Sequence, residues 1–243
     1  MRKTLPVLLV IITSAMFLLA GTSCQKAKTV PAPASFTVVN AMPTSNPIVP
    51  KFGSDTAARY YQDAMGNSMV QVSYGNAQLY SPVAGVNTLL IVPITDTGFK
   101  IFNGGMTLSS GSIYSFFLSG DTAHADTMLV RDNIPYFADS STGLRFVNLS
   151  IGGKGLVINL AGDSGNLQFP AIGYQGITDF KKYVATASAG SSYSFEIRDQ
   201  ATGTLLTTYS WSFPRFRSST LVISGSRDPT SPTPLTVFSV NSY

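Results

Sequence analysis

Beyond residue 34 the chain consists of short apolar runs rich in Val, Ile, Phe, Tyr and Thr, separated about every ten residues by Gly, Pro, Asn or Asp. No helical period lasts three turns. This spacing predicts an all-β sandwich fold. In the first half of the chain the predicted strands are 36–40, 69–74, 88–92, 99–102, 112–119 and 127–130. Between the first two of these lies a long insertion. Within it, residues 56–65 have the pattern of a short helical turn. Tyr60 and Tyr61 are candidate ligand contacts, or they cap the end of the sandwich.

The second half of the chain repeats the first. Residues 144–150 (LRFVNLS) echo 36–41 (FTVVNA), and two further landmarks follow about 105 residues apart, at Gly85 and Gly190 and at Gly120 and Gly225. A stronger local match between 111–116 and 190–195 has a different offset and reads as a recurring start of strands. We therefore predict two tandem immunoglobulin-like antiparallel β-sandwich domains, 35–137 and 144–243, joined by a linker at 138–143. The alternative is one large sandwich without duplication.

The clearest strand of the second half is 207–213, in which aromatic and hydroxyl side chains alternate. Tyr209, Trp211 and Phe213 share one face, about 6.6 Å apart, and Ser210 and Ser212 share the other. Burial in the core explains this alternation. A platform under a sugar or a peptide would show the same alternation but is the less simple explanation, and on it Tyr209 and Trp211 are also candidate ligand contacts.

The first 23 residues have the pattern of a secretory signal peptide: Arg2 and Lys3, an apolar core from 5 to 20, and a small-residue cleavage site at 21–23. The apolar core is shorter than the roughly 20 residues that span a bilayer. Cys24 follows directly, in a position that resembles the lipidated cysteine of bacterial lipoproteins. Acyl chains on Cys24 would anchor the chain to a membrane, and the polar stretch 24–34 would be its tether.

Composition removes several function classes. Charged residues make up only 12% of the chain, and without Arg2 and Lys3 the net charge falls from +4 to about +2, with no basic stripe for nucleic acid. Cys24 is the only cysteine, which excludes an intrachain disulfide and a cysteine-rich zinc site. Neither composition nor motif points to a cofactor.

The single histidine, His124, lies in the segment Asp121-Thr122-Ala123-His124-Ala125-Asp126. Asp121, His124 and Asp126 together would offer oxygen and imidazole ligands to a metal, but one flexible turn is a weak site. A catalytic triad would need a nucleophile elbow, and no Gly-x-Ser-x-Gly occurs. We interpret the segment as a solvated hairpin turn.

Several motifs resemble the bacterial family called domain of unknown function 4397: residues 144–150, Ile177-Thr178-Asp179-Phe180, Ala189-Gly190 opening a strand, and 128–133 closing the first copy. The first copy departs from the pattern because no Arg precedes Phe36 and because it holds the insertion. The resemblance implies secreted or lipid-anchored envelope proteins built from β-sandwich repeats. It carries over no catalytic or binding residue.

Three Asp-Thr-apolar triplets, at Thr56, Thr122 and Thr127, resemble an O-glycosylation acceptor of one Gram-negative phylum. The expectation is an exported, lipid-anchored outer-membrane protein, facing the periplasm or the cell surface. We expect it to be a non-enzymatic adhesive, scaffolding or ligand-presenting module whose partners are the membrane and a glycan or another envelope protein. The alternatives are a carbohydrate-binding accessory module and, less favoured, a hydrolase that uses aspartates.

Overall fold

Two β-sandwiches follow one another in the computed structural model. It describes residues 32–43, 46–53, 71–96, 98–137, 139–153, 155–163, 165 and 167–242. These residues belong to one compact unit, Ala32–Tyr243. The predictions at Cys24, Thr56, Tyr60 and Tyr61, and the helical turn at 56–65, lie outside the described residues.

The first repeat packs a four-stranded sheet, in the order β3-β1-β6-β7, on a three-stranded sheet, β2-β4-β5. Phe36 lies at the centre of the core between them, and its ring contacts Phe52 edge-on, with the centroids 5.0 Å apart. Such pairs stabilise a core beyond the area that they bury. The strands are β1 (Ser35–Asn40), β2 (Ile48–Phe52), β3 (Asn76–Tyr80), β4 (Gly85–Pro93), β5 (Phe102–Leu108), β6 (Ile113–Gly120) and β7 (Ala125–Asp132).

The second repeat packs the sheet β11-β8-β15-β16, in which β12 also pairs with β8, on the sheet β10-β9-β13-β14. Phe146 takes the central place here, with Phe169 and Phe195 edge-on at 5.0 and 5.3 Å. The strands are β8 (Ser141–Asn148), β9 (Leu156–Leu160), β10 (Leu167–Ile172), β11 (Gly176–Ile177), β12 (Lys181–Val184), β13 (Ser192–Asp199), β14 (Leu205–Ser212), β15 (Ser218–Ser224) and β16 (Thr236–Ser242), with a 3-10 turn at Ala187–Ala189.

The predicted all-β sandwich class is confirmed. The strand order, however, is not that of an immunoglobulin domain, whose seven strands form the sheets ABED and CFG. In each repeat the first strand lies in the middle of its sheet and pairs parallel with a late strand, β1 with β6 and β8 with β15, while the other pairs within the sheets are antiparallel.

Equivalent hydrogen bonds show that the two repeats share one design. Asn40 Nδ2 donates to the carbonyl of Val72 at 3.0 Å, and its Oδ1 accepts from the N–H of Met42. Asn148, 108 residues later, donates to the carbonyl of Ile172 at 3.0 Å, and its Oδ1 accepts from the N–H of Ser150. Both asparagines are buried, so each satisfies backbone groups that have no access to water.

The two sandwiches pack face to face through the outer surfaces of the sheet β3-β1-β6-β7 and the sheet that contains β8, β15 and β16. The layer between them is apolar, with Val39, Ala41 and Phe117 from the first repeat and Val147, Leu149, Val222 and Val240 from the second. Two reciprocal contacts frame it: Tyr74 Oη lies 2.9 Å from Ser224 Oγ, and Tyr174 Oη lies 3.2 Å from Ser119 Oγ. Contacts of this reciprocal kind mark a pseudo-two-fold relation.

Some predicted boundaries differ from the observed ones. Around 69–74 the described residues contribute a bridge from Val72 to Ile48, and the strand that follows is β3, at 76–80. Residues 99–101 form a bend, so β5 begins at Phe102. Strand β8 begins at Ser141, three residues before the predicted start of the second copy.

Candidate ligand-binding face

In each repeat the first strand and its parallel partner begin at one end of the sheet and finish at the other, which defines two ends of the unit. The near end is where the described chain begins: Thr37 and Ile113, close to the starts of β1 and β6, line one groove with Arg217 and Ser242 of the second repeat. The far end holds the turns that follow β6, β8 and β15. Both repeats contribute turns to the far end, which makes it a composite surface.

The turn between β6 and β7 forms the first part of the far end. Gly120 takes φ +80°, where an added Cβ would collide with the carbonyl of His124. Asp121 Oδ1 accepts the N–H groups of Ala123 and His124, both at 2.8 Å, and these bonds lower the pKa of Asp121. The His124 side chain is 88% exposed. The predicted solvated hairpin turn is thus confirmed.

Tyr174 joins this turn to the second repeat. Its hydroxyl donates to Asp126 Oδ2 at 2.7 Å and lies 3.2 Å from Ser119 Oγ. Partial burial and the Asp126 carboxylate raise the pKa of Tyr174, so it remains a neutral donor. A depression of about 420 Å³ lies beside it, lined by Gly120, Asp121, His124, Asp126, Ile151, Gly152, Gly153 and Tyr174.

Arg227 is the buried charge of the far end. Its Nε donates to Ser150 Oγ at 3.1 Å and its Nη1 to the carbonyl of Gly155 at 2.9 Å, with Asp199 Oδ2 at 3.4 Å. Burial lowers the pKa of Arg227, and Asp199 opposes that shift. Gly153 passes so close to the guanidinium that a Cβ there would collide with it. Arg227 therefore fixes the loop after β8 against the loop after β15.

A second depression of about 790 Å³ opens on the other side of the same loop. Its polar lining includes Thr202, Thr204 and Ser226, and its apolar lining includes Leu205, Leu206, Pro229, Pro234 and Leu235. Gly152 and Gly153 line both depressions. We call the two depressions and the loop between them the far face.

Carboxylates, hydroxyls and a few exposed apolar side chains dominate the far face. Asp121, Asp126 and Asp228 are exposed, and the apolar residues Ile151 and Leu205 are 50% and 44% exposed. Among the described residues no group of three His, Cys, Asp or Glu side chains could hold a metal ion. The face offers hydrogen-bond donors and acceptors next to apolar surface.

Trp211 was a candidate ligand contact, and this prediction is wrong. The indole is 1% exposed and packs with Tyr183 and Tyr193 in the second core, so no surface ligand can reach it. The alternative interpretation of the face as core is confirmed. Tyr209 is half-buried against the same core, and burial raises the pKa of Tyr209.

Two of the predicted O-glycosylation sites lie among the described residues. Thr122 lies in the turn after β6, and Thr127 is half-buried in β7 opposite Leu118. The sequence interpretation missed Tyr174 and Arg227. The signal in the sequence that could have indicated this site is a pair of glycine-containing loops, 152–155 and 225–229. These loops follow β8 and β15, and they meet only because those two strands are adjacent and parallel.

Comparisons with known proteins add little to this geometry. No family model matches the chain, and no curated protein matches it. Among solved structures, the chain is similar to a "putative adhesin" from Bacteroides ovatus, with 8% identity over 90% of this chain and 97% of that chain, at a TM-score of 0.24. Within the described residues, no helix is long and apolar enough to cross a membrane.

Proposed function

We propose that this protein is an exported, lipid-anchored module of the bacterial cell envelope that binds a partner through its far face and catalyses no reaction. The observation that carries the proposal is the composite far face, in which Tyr174 and Asp126 join the two repeats and Arg227 joins two loops of the second repeat, beside two open depressions. Rigid sandwiches that carry loops at one end are a common scaffold for recognition.

The way in which the chain enters the unit supports the anchoring part of the proposal. Ala32 precedes β1 at the near end, and only eight steps along the chain separate it from Cys24. A fully extended segment of that length reaches at most roughly 28 Å. An acylated Cys24 would therefore hold the near end close to the bilayer and leave the far face for partners. The resemblance to domain of unknown function 4397, like the anchor at Cys24, stays a prediction.

The carbohydrate-binding alternative loses its main residue because Trp211 is buried. The hydrolase alternative would use aspartates, but the aspartates of the far face all accept hydrogen bonds that hold loops together. Asp121 accepts two N–H groups of its own turn, Asp126 accepts from Tyr174, and Asp228 accepts from the N–H of Thr230. A non-enzymatic adhesive or ligand-presenting role fits the surface best.

The anchor is tested on protein isolated from membranes of the native host. We expect intact mass spectrometry to show a mature chain that begins at acylated Cys24. A chain cleaved elsewhere, with an unmodified cysteine, would refute the anchor.

Partner binding is tested in living host cells with a photoreactive amino acid at Ile151, at the centre of the far face. Leu129, an exposed apolar residue of β7 with 42% exposure against 50% for Ile151, is the matched control position. We expect a discrete crosslinked species at Ile151 that is missing at Leu129. Identical patterns at the two positions would contradict a specific role of the far face.

A further inference from the structure

The turn between β14 and β15 presents an aromatic ring between two cations at the near end. Arg215, Phe216 and Arg217 are all exposed, and the Phe216 side chain keeps 55% of its surface in solvent. Phe216 also takes φ +60°, in the left-handed region that a bulky side chain rarely adopts. A strained and exposed phenylalanine contributes nothing to the core and calls for an explanation outside the fold.

Strand β8 holds this turn in place. The N–H of Phe216 donates to the carbonyl of Ser141 at 3.2 Å. The carbonyl of Arg217 accepts from Thr142 Oγ1 at 2.7 Å and from the N–H of Gly143 at 3.2 Å. The backbone is thus fixed at two consecutive residues, and the strain at Phe216 is maintained by the first residues of the second repeat.

Other exposed apolar side chains lie at the same end. Val83 is 50% exposed and bridges to Pro33, just before β1, and Val184 is 52% exposed opposite Ser141. Tyr136, in the connection between β7 and β8, is 87% exposed. The near end therefore combines aromatic and aliphatic side chains with arginines, a composition typical of surfaces that lie in a membrane interface.

The exposed charges that the structure describes differ in sign between the two ends. Among the described residues, neither Arg215 nor Arg217 forms an ion pair, while the carboxylates Asp132 and Asp139 of the near end are already paired with Arg145 and Lys182. The far face exposes Asp121, Asp126 and Asp228. An anionic surface would attract the near end and repel the far face, which would orient the whole unit.

We infer that the near end docks on an anionic lipid bilayer, with Phe216 at the level of the headgroups and with Arg215 and Arg217 on lipid phosphates. The inference rests on the proposed anchor, which would keep the near end within reach of the bilayer. Docking would hold the unit upright on the membrane, with the far face turned away from the lipid.

The test uses the full lipidated chain in vesicles that contain brominated phosphatidylcholine, with and without phosphatidylglycerol. Phe216→Trp reports on the near end and Ile151→Trp on the far face, over the constant background of buried Trp211. The quantity compared is the emission that each new tryptophan adds to that of Trp211. We expect this added emission to be roughly twofold lower for Phe216→Trp than for Ile151→Trp, because bromine quenches only rings that reach the bilayer. Equal quenching of the two variants would overturn the inference.

A second arm tests the arginines. Replacement of both Arg215 and Arg217 by Ser in the Phe216→Trp chain should abolish the gain in quenching that phosphatidylglycerol causes. Lys100→Ser, an exposed cation in the connection between β4 and β5, should leave that gain unchanged. Thermal unfolding must show that each variant is folded as the wild type is. An effect of phosphatidylglycerol that survives the loss of both arginines would contradict headgroup recognition.

The anchor and the docking can fail separately. If Cys24 is acylated but Phe216→Trp is not quenched, only the docking is refuted. If Cys24 is unmodified, the anchor is refuted, and sedimentation of the same chain with phosphatidylglycerol vesicles still decides whether the near end binds lipid.

Discussion

Asp132 and Arg145 form a buried ion pair between the two repeats. Arg145 Nη2 lies 2.7 Å from Asp132 Oδ1, and both side chains are at most 5% exposed. The approach is close but poorly aligned for a hydrogen bond, so the attraction is mainly ionic. Arg145 Nε donates to Thr220 Oγ1 at 2.9 Å, and its guanidinium lies 4.5 Å from the centroid of the Phe180 ring.

Arg145→Met should destabilise the protein by about 3–5 kcal/mol, because it leaves the Asp132 carboxylate buried without its cation. Urea unfolding in the absence of ligand measures the change. The double variant Asp132→Leu with Arg145→Met should recover much of the loss, since no buried charge then remains. An Arg145→Met protein as stable as the wild type would show that the pair makes no net contribution.

Lys182→Met is the control for this experiment. Lys182 Nζ lies 2.6 Å from Asp139 Oδ2, but both side chains are more than half exposed. Water and salt screen exposed pairs, so we expect no clear change in the urea midpoint.

The sequence identified Arg145 and Asp132 separately, one as a family-like residue and the other as part of a closing strand. It could not show that they meet, because their contact depends on how the two repeats pack. The repeated asparagines are the opposite case. Asn40 and Asn148 were found from the sequence because each serves its own repeat, through the same local hydrogen bonds.

Strand β14 shows how far an alternating pattern determines burial. Trp211 pairs with Tyr193 across the strands and lies in the core, whereas Thr208 and Ser210 face solvent. Trp211→Ala should destabilise the protein by about 3–5 kcal/mol through the cavity that it leaves. Thr208→Ala on the outer face should change the stability by no more than about 0.5 kcal/mol.

Urea denaturation followed by far-ultraviolet circular dichroism measures both changes. If Trp211→Ala kept its stability but lost binding to a ligand, Trp211 would be a ligand contact and not a core residue. The structure predicts the reverse, a strong loss of stability without any direct effect on a surface site.

Other strands escaped prediction because their residues are atypical of strands. Strand β2 contains Pro50, β3 begins Asn-Ala-Gln, and β5 contains Gly104 and Gly105. Proline lacks a donor, and glycine and asparagine are depleted in sheets, so tertiary pairing overrides weak local preference in these strands.

The comparison of β4 with β13 shows a second limit. An offset of 105 aligns Leu90 with Phe195, but the core residues of β4 are Leu89 and Ile91, which correspond to Phe195 and Ile197 at an offset of 106. A slip of one residue exchanges the two faces of a strand. In a run such as Leu-Leu-Ile-Val, apolar on both faces, the sequence alone does not reveal the slip.

At the scale of the whole molecule, the apolar layer between the repeats decides how the unit behaves. Val39, Phe117, Val147 and Val222 are each at most 1% exposed within that layer. Sheets that bury one face in a sandwich and the other in a second interface are apolar on both sides, which is why β6 and β15 are buried along nearly their whole length. The far face depends on this layer, because it is built from loops of both repeats.

The two repeats should therefore unfold in a single transition. Phe116 lies in the core of the first repeat and packs on Phe102 with the ring centroids 5.1 Å apart, whereas Trp211, the sole tryptophan, reports on the second repeat. Phe116→Ala should destabilise its own core by about 3–5 kcal/mol. If unfolding is cooperative across the layer, the urea midpoint seen by Trp211 fluorescence should fall by the equivalent amount.

Val86→Ala, at an 87% exposed position of the first repeat, should leave the Trp211 midpoint unchanged. A Trp211 midpoint that is insensitive to Phe116→Ala would mean that the second repeat unfolds independently of the first. The inter-repeat layer would then be an ordinary domain contact, and the geometry of the far face would vary with the motion between domains. A shared midpoint would instead show that the two repeats unfold as one cooperative unit, as expected if partner binding uses loops of both repeats.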